Sequence, residues 1–244
     1  MWEITLVFNV CDKDSIKEFE KHILSSYPDI NIFISHIERL DEYILSVAVD
    51  NKYKDIISLL RLELSKLIIR VCKFEFFING LKKLIPAYTE REFVSSVMVS
   101  IGSEMDVLGA LYKLSYKHIV VRSYVYFILK DMVESWSRLI DNMTVEFAGE
   151  KPNTIVIEFL KYIVGITYDD ALDIDIYVDC KNYLIDFGVD DKILVPINDR
   201  TGLIINLLNL RPSSLILHNY SAFPKDVYSL LKYVFGAKFR VEVW

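Results

Sequence analysis

From Lys192 to the C-terminus the chain alternates short apolar runs with longer ones of helical spacing. They read KILVPIN, LIINLLNLR, SSLILH, KDVYSLLKYVFG and KFRVEVW, with polar turns DRTG and NYSAFP between them. Strands that alternate with helices in this way build a parallel sheet with crossover helices. Ligands on such sheets bind beyond the carboxyl ends of the strands. Two of those ends are polar here, Asn198-Asp199-Arg200 and His218-Asn219-Tyr220. The closing fifty residues therefore predict both an architecture and a place to look for a site.

Upstream, the first fifty residues read as β-α-β-β. Glu3 to Val10 alternates as a strand, and Ser15-Ile-Lys-Glu18 has the capping-box pattern that opens a helix. Asn31–Glu38 and Tyr43–Asp50 are predicted strands joined by a hairpin at 39–42. A long helix follows from Lys52, with Leu60, Leu64, Leu67, Ile68, Val71 and Cys72 on one face. The middle is helical, with further capping-box patterns at Thr89-Glu92 and Ser103-Asp106. Its β-branched and aromatic residues at Val120-Val121 and Val125-Tyr126-Phe127 favour strand locally. Asp169 to Asp191 holds eight aspartates and reads as a hairpin with one wet face. The expected fold class is α/β (mixed α+β): an N-terminal β-α-β-β unit, a helical middle, and a C-terminal β-hairpin plus βαβαβ parallel sheet. The expected regions are 1–88, 89–168 and 169–244.

Composition narrows the function classes. A hydrophobic share of 52% predicts a sizeable core and raises the question of a membrane. A spanning helix needs about 20 mostly apolar residues. The run Leu114–Leu129 carries Lys117, His118 and Arg122, and Thr154–Ile166 carries Glu158 and Lys161, so no span is expected. WEITLVFNV alternates like a strand rather than a secretory h-region. Three widely spaced cysteines and four histidines form no metal-binding pattern, and reduced thiols in a cytoplasmic protein are expected. A net charge of −6 is the wrong sign for a strongly basic nucleic-acid module.

From Tyr126 onward the chain resembles the YtxC-like sporulation proteins of endospore-forming bacteria. The residues that carry the resemblance are YFILKDMVESWSRLID, FLKYIVGI, DIDIYV, NYLIDFG, TGLIINLLNLRPSSLILHNY and LLKYVFGAKFRV, in that order. Ile128 departs from the pattern, in which an arginine usually stands at that position. The resemblance implies a cytoplasmic, sporulation-linked protein, and it carries no catalytic residues over to this chain.

Three constellations are candidate sites, beside a dense set of aromatics (Tyr112, Tyr116, Tyr124, Tyr126, Phe127 and Trp136) that could stack on bases but whose helical spacing among aliphatics predicts core packing. The first is the strand-end rim of Asn198, Asp199, Arg200, His218 and Asn219. If KILVPIN and SSLILH run parallel, these residues share one edge, and the helix opening at Thr201-Gly202 aims free N–H groups at an anion there. Arg200 would be the anion's charge partner and His218 a proton-transfer group; the plainer reading is helix capping. The second is a basic stripe of Lys66, Arg70 and Lys73 at helical spacing, suited to phosphate contacts. Lys82 and Lys83 extend it in sequence. The third is the set Asp173, Asp175 and Asp179, which has the donor type for Mg²⁺ or Ca²⁺ but the spacing of a solvated strand face. No catalytic residue, metal or cofactor is predicted. The favoured expectation is a non-enzymatic module that binds a partner protein, a second copy or an anionic ligand. The competing readings are a phosphate-binding enzyme at the rim and a nucleic-acid binder on the stripe.

Overall fold

The alternation at the N-terminus becomes β1 (Trp2–Asn9), followed by α1 (Lys13–Ser26), β2 (Phe33–Arg39), β3 (Glu42–Val49) and the 27-residue α2 (Lys54–Gly80). The structure, a computed structural model, describes residues 1–150, 152–166, 172–188 and 191–242. Asp169, Asp170 and Asp190 of the aspartate-rich segment, and the last two residues of the closing strand, lie outside the described residues. The chain forms two compact units, residues 1–80 with 102–141 and residues 81–101 with 142–244.

In the first unit β3 pairs antiparallel with both β1 and β2, so the hairpin folds back between them. Ile4, Leu6 and Phe8 of β1 lie opposite Val47, Leu45 and Tyr43 of β3. All six are buried, together with Ile16, Phe19 and Ile23 of α1 and Leu60, Leu64 and Ile68 of α2. Past α3 (Tyr88–Ser100), which belongs to the second unit, come α4 (Ser103–Lys113) and β4 (His118–Val120). β4 pairs parallel with β1, and the sheet order is β2-β3-β1-β4. A single helical turn, α5 (Val121–Ser123), leads into a π-helical turn at Tyr124–Ile128 and then α6 (Lys130–Glu146). The strand propensity at 125–127 is therefore overridden. Tyr124 is buried and donates its hydroxyl to the Ala110 carbonyl at 2.9 Å, a contact that a helical turn delivers. Gly80 is the last residue of α2, and a Cβ there would collide with Ile140 of α6.

The second unit adds α7 (Pro152–Ile166), β5 (Asp173–Val178), β6 (Asn182–Asp186), β7 (Lys192–Pro196), α8 (Arg200–Leu210), β8 (Ser214–His218), α9 (Lys225–Phe235) and β9 (Phe239–Glu242). The sheet order is β7-β6-β5-β8-β9, with β5, β8 and β9 parallel and the β5-β6-β7 meander antiparallel. β7 and β8 run in the same direction, as the sequence predicts, but they are not neighbours: β6 and β5 lie between them. Both crossovers step the same way along the sheet. Right-handed connections then place α8 and α9 on one face, over Ile174, Ile176, Tyr183, Ile185, Leu215 and Leu217, all buried. α3 packs on α8 and α7 on α9.

The three capping-box patterns are used differently from expectation. Asp12 accepts the Asn9 N–H at 3.2 Å in a short 3-10 turn at Val10–Asp12; α1 begins directly after it at Lys13, and Ser15 falls inside its first turn. α3 begins at Tyr88, one residue before Thr89, with Ala87 at its N-cap. α4 is preceded by Gly102 with φ of 66°, and its Asp106 carboxylate is taken by Lys73 and Trp136.

Candidate functional site

The rim residues do lie along one edge of the second sheet, but they serve two faces of it. Three strand spacings separate the tips of β7 and β8, roughly 14 Å. Asn198 is exposed. Asp199 caps α8, its Oδ1 accepting the Gly202 N–H at 2.8 Å. Arg200 turns toward the helix layer and forms an ion pair with Asp226 in the first turn of α9. Beside that pair, Tyr183 is fully buried against Phe223, with ring centroids 5.7 Å apart, and burial pushes its phenol up from the ordinary value.

His218 points the other way. Leu215 and Leu217 of β8 face the helices, so Ile216 and His218 face the side they leave uncovered. There the His218 Nε2 lies 2.6 Å from Asp175 Oδ1, and its Nδ1 lies 3.6 Å from Glu242 Oε2. Tyr177 stacks on the ring at 4.4 Å with an interplanar angle of 7°. The imidazole thus ties β5, β8 and β9 together across the sheet, with a carboxylate facing each ring nitrogen. Asn219 adopts the left-handed conformation at φ 54° and turns the chain, its carbonyl accepting the Ala222 N–H at 3.0 Å. Arg200 and His218 therefore diverge, one with the helices and one on the opposite sheet face.

The basic stripe is also divided. Lys66 bonds Glu63 at 2.6 Å, and Arg70 bonds Glu18 at 3.1 Å. Lys73 is buried and pairs with Asp106 at 2.8 Å, so the three cations share no wet face. Lys82 and Lys83 lie beyond the end of α2. Each aspartate of β5 and its turn has a local partner. Asp173 accepts from Ser213 and Ser214, which holds its carboxyl below the usual range. Asp179 is lowered likewise by the Lys181 and Asn182 backbone N–H groups at 2.7 and 2.6 Å. Among the described residues no group of three or more His, Cys, Asp and Glu side chains is arranged to hold a metal ion. No single helix among them is long and apolar enough to cross a membrane.

Of the aromatics whose helical spacing predicts core packing, Tyr124 and Trp136 are buried, but Tyr112 and Phe127 are exposed and belong to an apolar surface of the first unit. On α4, Val107 and Ala110 point into the core, while Met105, Leu108 and Tyr112 point away and are 75%, 55% and 90% exposed. Lys113 reaches the Ile128 carbonyl at 3.0 Å, which brings the π-helical turn beside α4. That turn presents Phe127, 79% exposed. The spacing of Met105, Leu108 and Tyr112 is visible in the sequence, but α4 carries two apolar stripes and nothing local says which one faces the core. Comparison with protein-family models, curated proteins and solved structures returns no match for this chain.

Proposed function

We propose that this chain is a non-enzymatic binding protein that docks a partner protein on the outer side of α4 and the adjoining π-helical turn. The observation that supports the reading is the outward apolar stripe of Met105, Leu108 and Tyr112, continued by Phe127. Helices of globular proteins bury their apolar stripe, and contiguous exposed apolar surface marks interaction sites. Covering a single Leu or Met side chain contributes about 1.5–3 kcal/mol, so this patch is costly to leave in water. π-Helical turns recur at functional positions. The rim offers less to an anion or a substrate, because Asp199 already occupies the α8 N-terminus and Asp226 already holds Arg200. The burial of Lys73 likewise weakens a nucleic-acid surface on α2. A cytoplasmic, sporulation-linked setting is part of the proposal; it rests on the motifs from Tyr126 onward and on three free thiols.

The test is site-specific photo-crosslinking in cells, with benzoylphenylalanine placed at Tyr112, at Phe127, or at the exposed Tyr233 of the second unit as control. One discrete protein adduct shared by positions 112 and 127, absent at 233 and lost when Leu108→Glu is added, is the expected result. No adduct at 112 and 127, or the same adducts at all three positions, overturns the reading.

A further inference from the structure

The strand at one end of the first sheet differs from the other sheet borders. β4 has three residues, β9 has four described residues, and β7 has five and ends in Pro196. β2 has seven, contains no proline, and keeps an unbroken register with β3 from Phe33 to Arg39, so no bulge bends it. Its residues are exposed in the whole chain apart from the half-buried Ile34, with Phe33 at 67% and Ile37 at 54%. Proteins ordinarily blunt such borders with prolines, bulges, charged side chains or short strands; in β2 the charged residues Glu38 and Arg39 stand only at the turn end.

The turn tells which backbone groups are available. Leu40 and Asp41 form a two-residue hairpin loop closed by the Arg39–Glu42 pair. In such a hairpin the closing pair is the hydrogen-bonded one, and bonded and non-bonded pairs alternate from there. Arg39, Ile37, Ser35 and Phe33 therefore direct their N–H and C=O groups to β3, while Glu38, His36 and Ile34 direct theirs outward.

We infer that β2 is a self-association edge, pairing antiparallel with β2 of a second copy about a twofold axis at Ile37. The register follows from the side chains. With the axis at Ile37, the outward-facing groups of His36 meet those of Glu38 of the second copy, and the reverse, as two hydrogen-bonded pairs. The imidazole and carboxylate of each pair lie side by side, on the sheet face where Glu20 already approaches His36 at 3.6 Å and Lys13 pairs with Glu38. On the other face the two Ile37 side chains meet in a non-bonded pair, where cross-strand side chains are closest. Moving the axis to His36 would set the two imidazoles opposite each other and lose the imidazole–carboxylate pairing. The strand is thus complementary to itself in one register, which selects a second copy of this chain as the partner. This surface is separate from α4 and does not depend on the function proposed above.

The experiment uses the full chain. Light scattering coupled to gel filtration over a wide concentration range is expected to show a monomer passing to a dimer. Ile37→Lys places two charges on the axis, and His36→Pro removes an outward N–H without touching the β3 ladder; each is expected to abolish the dimer with unchanged circular dichroism. In a Cys11→Ser, Cys180→Ser background, Ile37→Cys is expected to link two copies under mild oxidation. Opposed Cα atoms in a non-bonded pair are about 4.5 Å apart, within disulfide range. Leu59→Cys, exposed on α2, is the control and is expected to stay unlinked. A monomer at every concentration, a dimer that survives Ile37→Lys, or equal linking at positions 37 and 59 overturns the inference. Should His36→Pro unfold the hairpin, the two Ile37 variants decide alone.

Discussion

The Lys73 ammonium lies 2.8 Å from Asp106 Oδ2, with 3% of the lysine side chain exposed. Trp136 Nε1 donates to the same oxygen at 3.1 Å. One carboxylate therefore joins α2, α4 and α6 in the interior of the first unit. A buried pair of this kind is often no better than an apolar replacement, but removing one partner strands the other.

Asp106→Ala is expected to cost about 3–5 kcal/mol, because it leaves the Lys73 charge buried without its counter-ion. Lys73→Met should cost clearly less: the methionine fills similar space, and Asp106 keeps the Trp136 donor and partial access to water. Urea unfolding of the two variants measures the difference. The reverse order of stabilities would show that the lysine reaches solvent.

Lys73 also shows where reading the sequence stops. The spacing of Lys66, Arg70 and Lys73 correctly places them on neighbouring turns of one helix. Which side of that helix meets protein is set by Asp106, more than thirty residues later, and no local pattern carries that. The closing strands and helices were legible because their apolar runs have distinct lengths and polar turns. The insertion of β6 and β5 between β7 and β8 was not, since strand order is a matter of distant pairing. The facing of His218 was hidden for a simpler reason. Leu215, Ile216 and Leu217 are all apolar, so β8 has no alternation to say which side is inside.

At the start of α8 two neighbouring residues compete for the same space. Asp199 caps the helix through the Gly202 N–H, and a Cβ at position 202 would collide with that carboxylate. Asp199→Ala should cost about 0.5–2 kcal/mol, the usual loss of an N-cap. Gly202→Ala should be neutral or destabilising in the wild type, since it expels the cap. In the Asp199→Ala background the same change should stabilise by up to about 1 kcal/mol through helix propensity. A double-mutant cycle by thermal unfolding reads this change of sign, and additive effects would exclude the steric coupling.

Alkaline pH should weaken the first unit in a defined window. Burial pushes the Cys72 thiol from 9.0 up to about 12. It pushes the Tyr124 phenol from 10.0 up to about 12. Both groups are neutral when protonated. Their contribution is complete below pH 9 and falls as pH rises toward 12, because the unfolded chain releases these protons first. Cys72→Val should lessen the decline between pH 9 and 10 relative to wild type, as followed by denaturant midpoints. Thiol reagents should modify exposed Cys11 and Cys180 in the native protein and reach Cys72 only on unfolding. Rapid native labelling of Cys72 would contradict its burial.

Tyr183 offers a test in the second unit. Its ring is fully buried beside Phe223, and its hydroxyl has no hydrogen-bond partner among the described residues. Tyr43 is in the same position in the first unit. A buried hydroxyl without a partner has lost its water and gained nothing in exchange, a cost of about 1–3 kcal/mol. Phenylalanine keeps the ring and removes the group that pays this penalty. Tyr183→Phe is therefore expected to stabilise the protein by about 1 kcal/mol, and Tyr43→Phe to do the same, both measured by chemical denaturation. The effects should add, because the two residues belong to different units. A loss of stability in either variant would mean that its hydroxyl is hydrogen-bonded in the native protein.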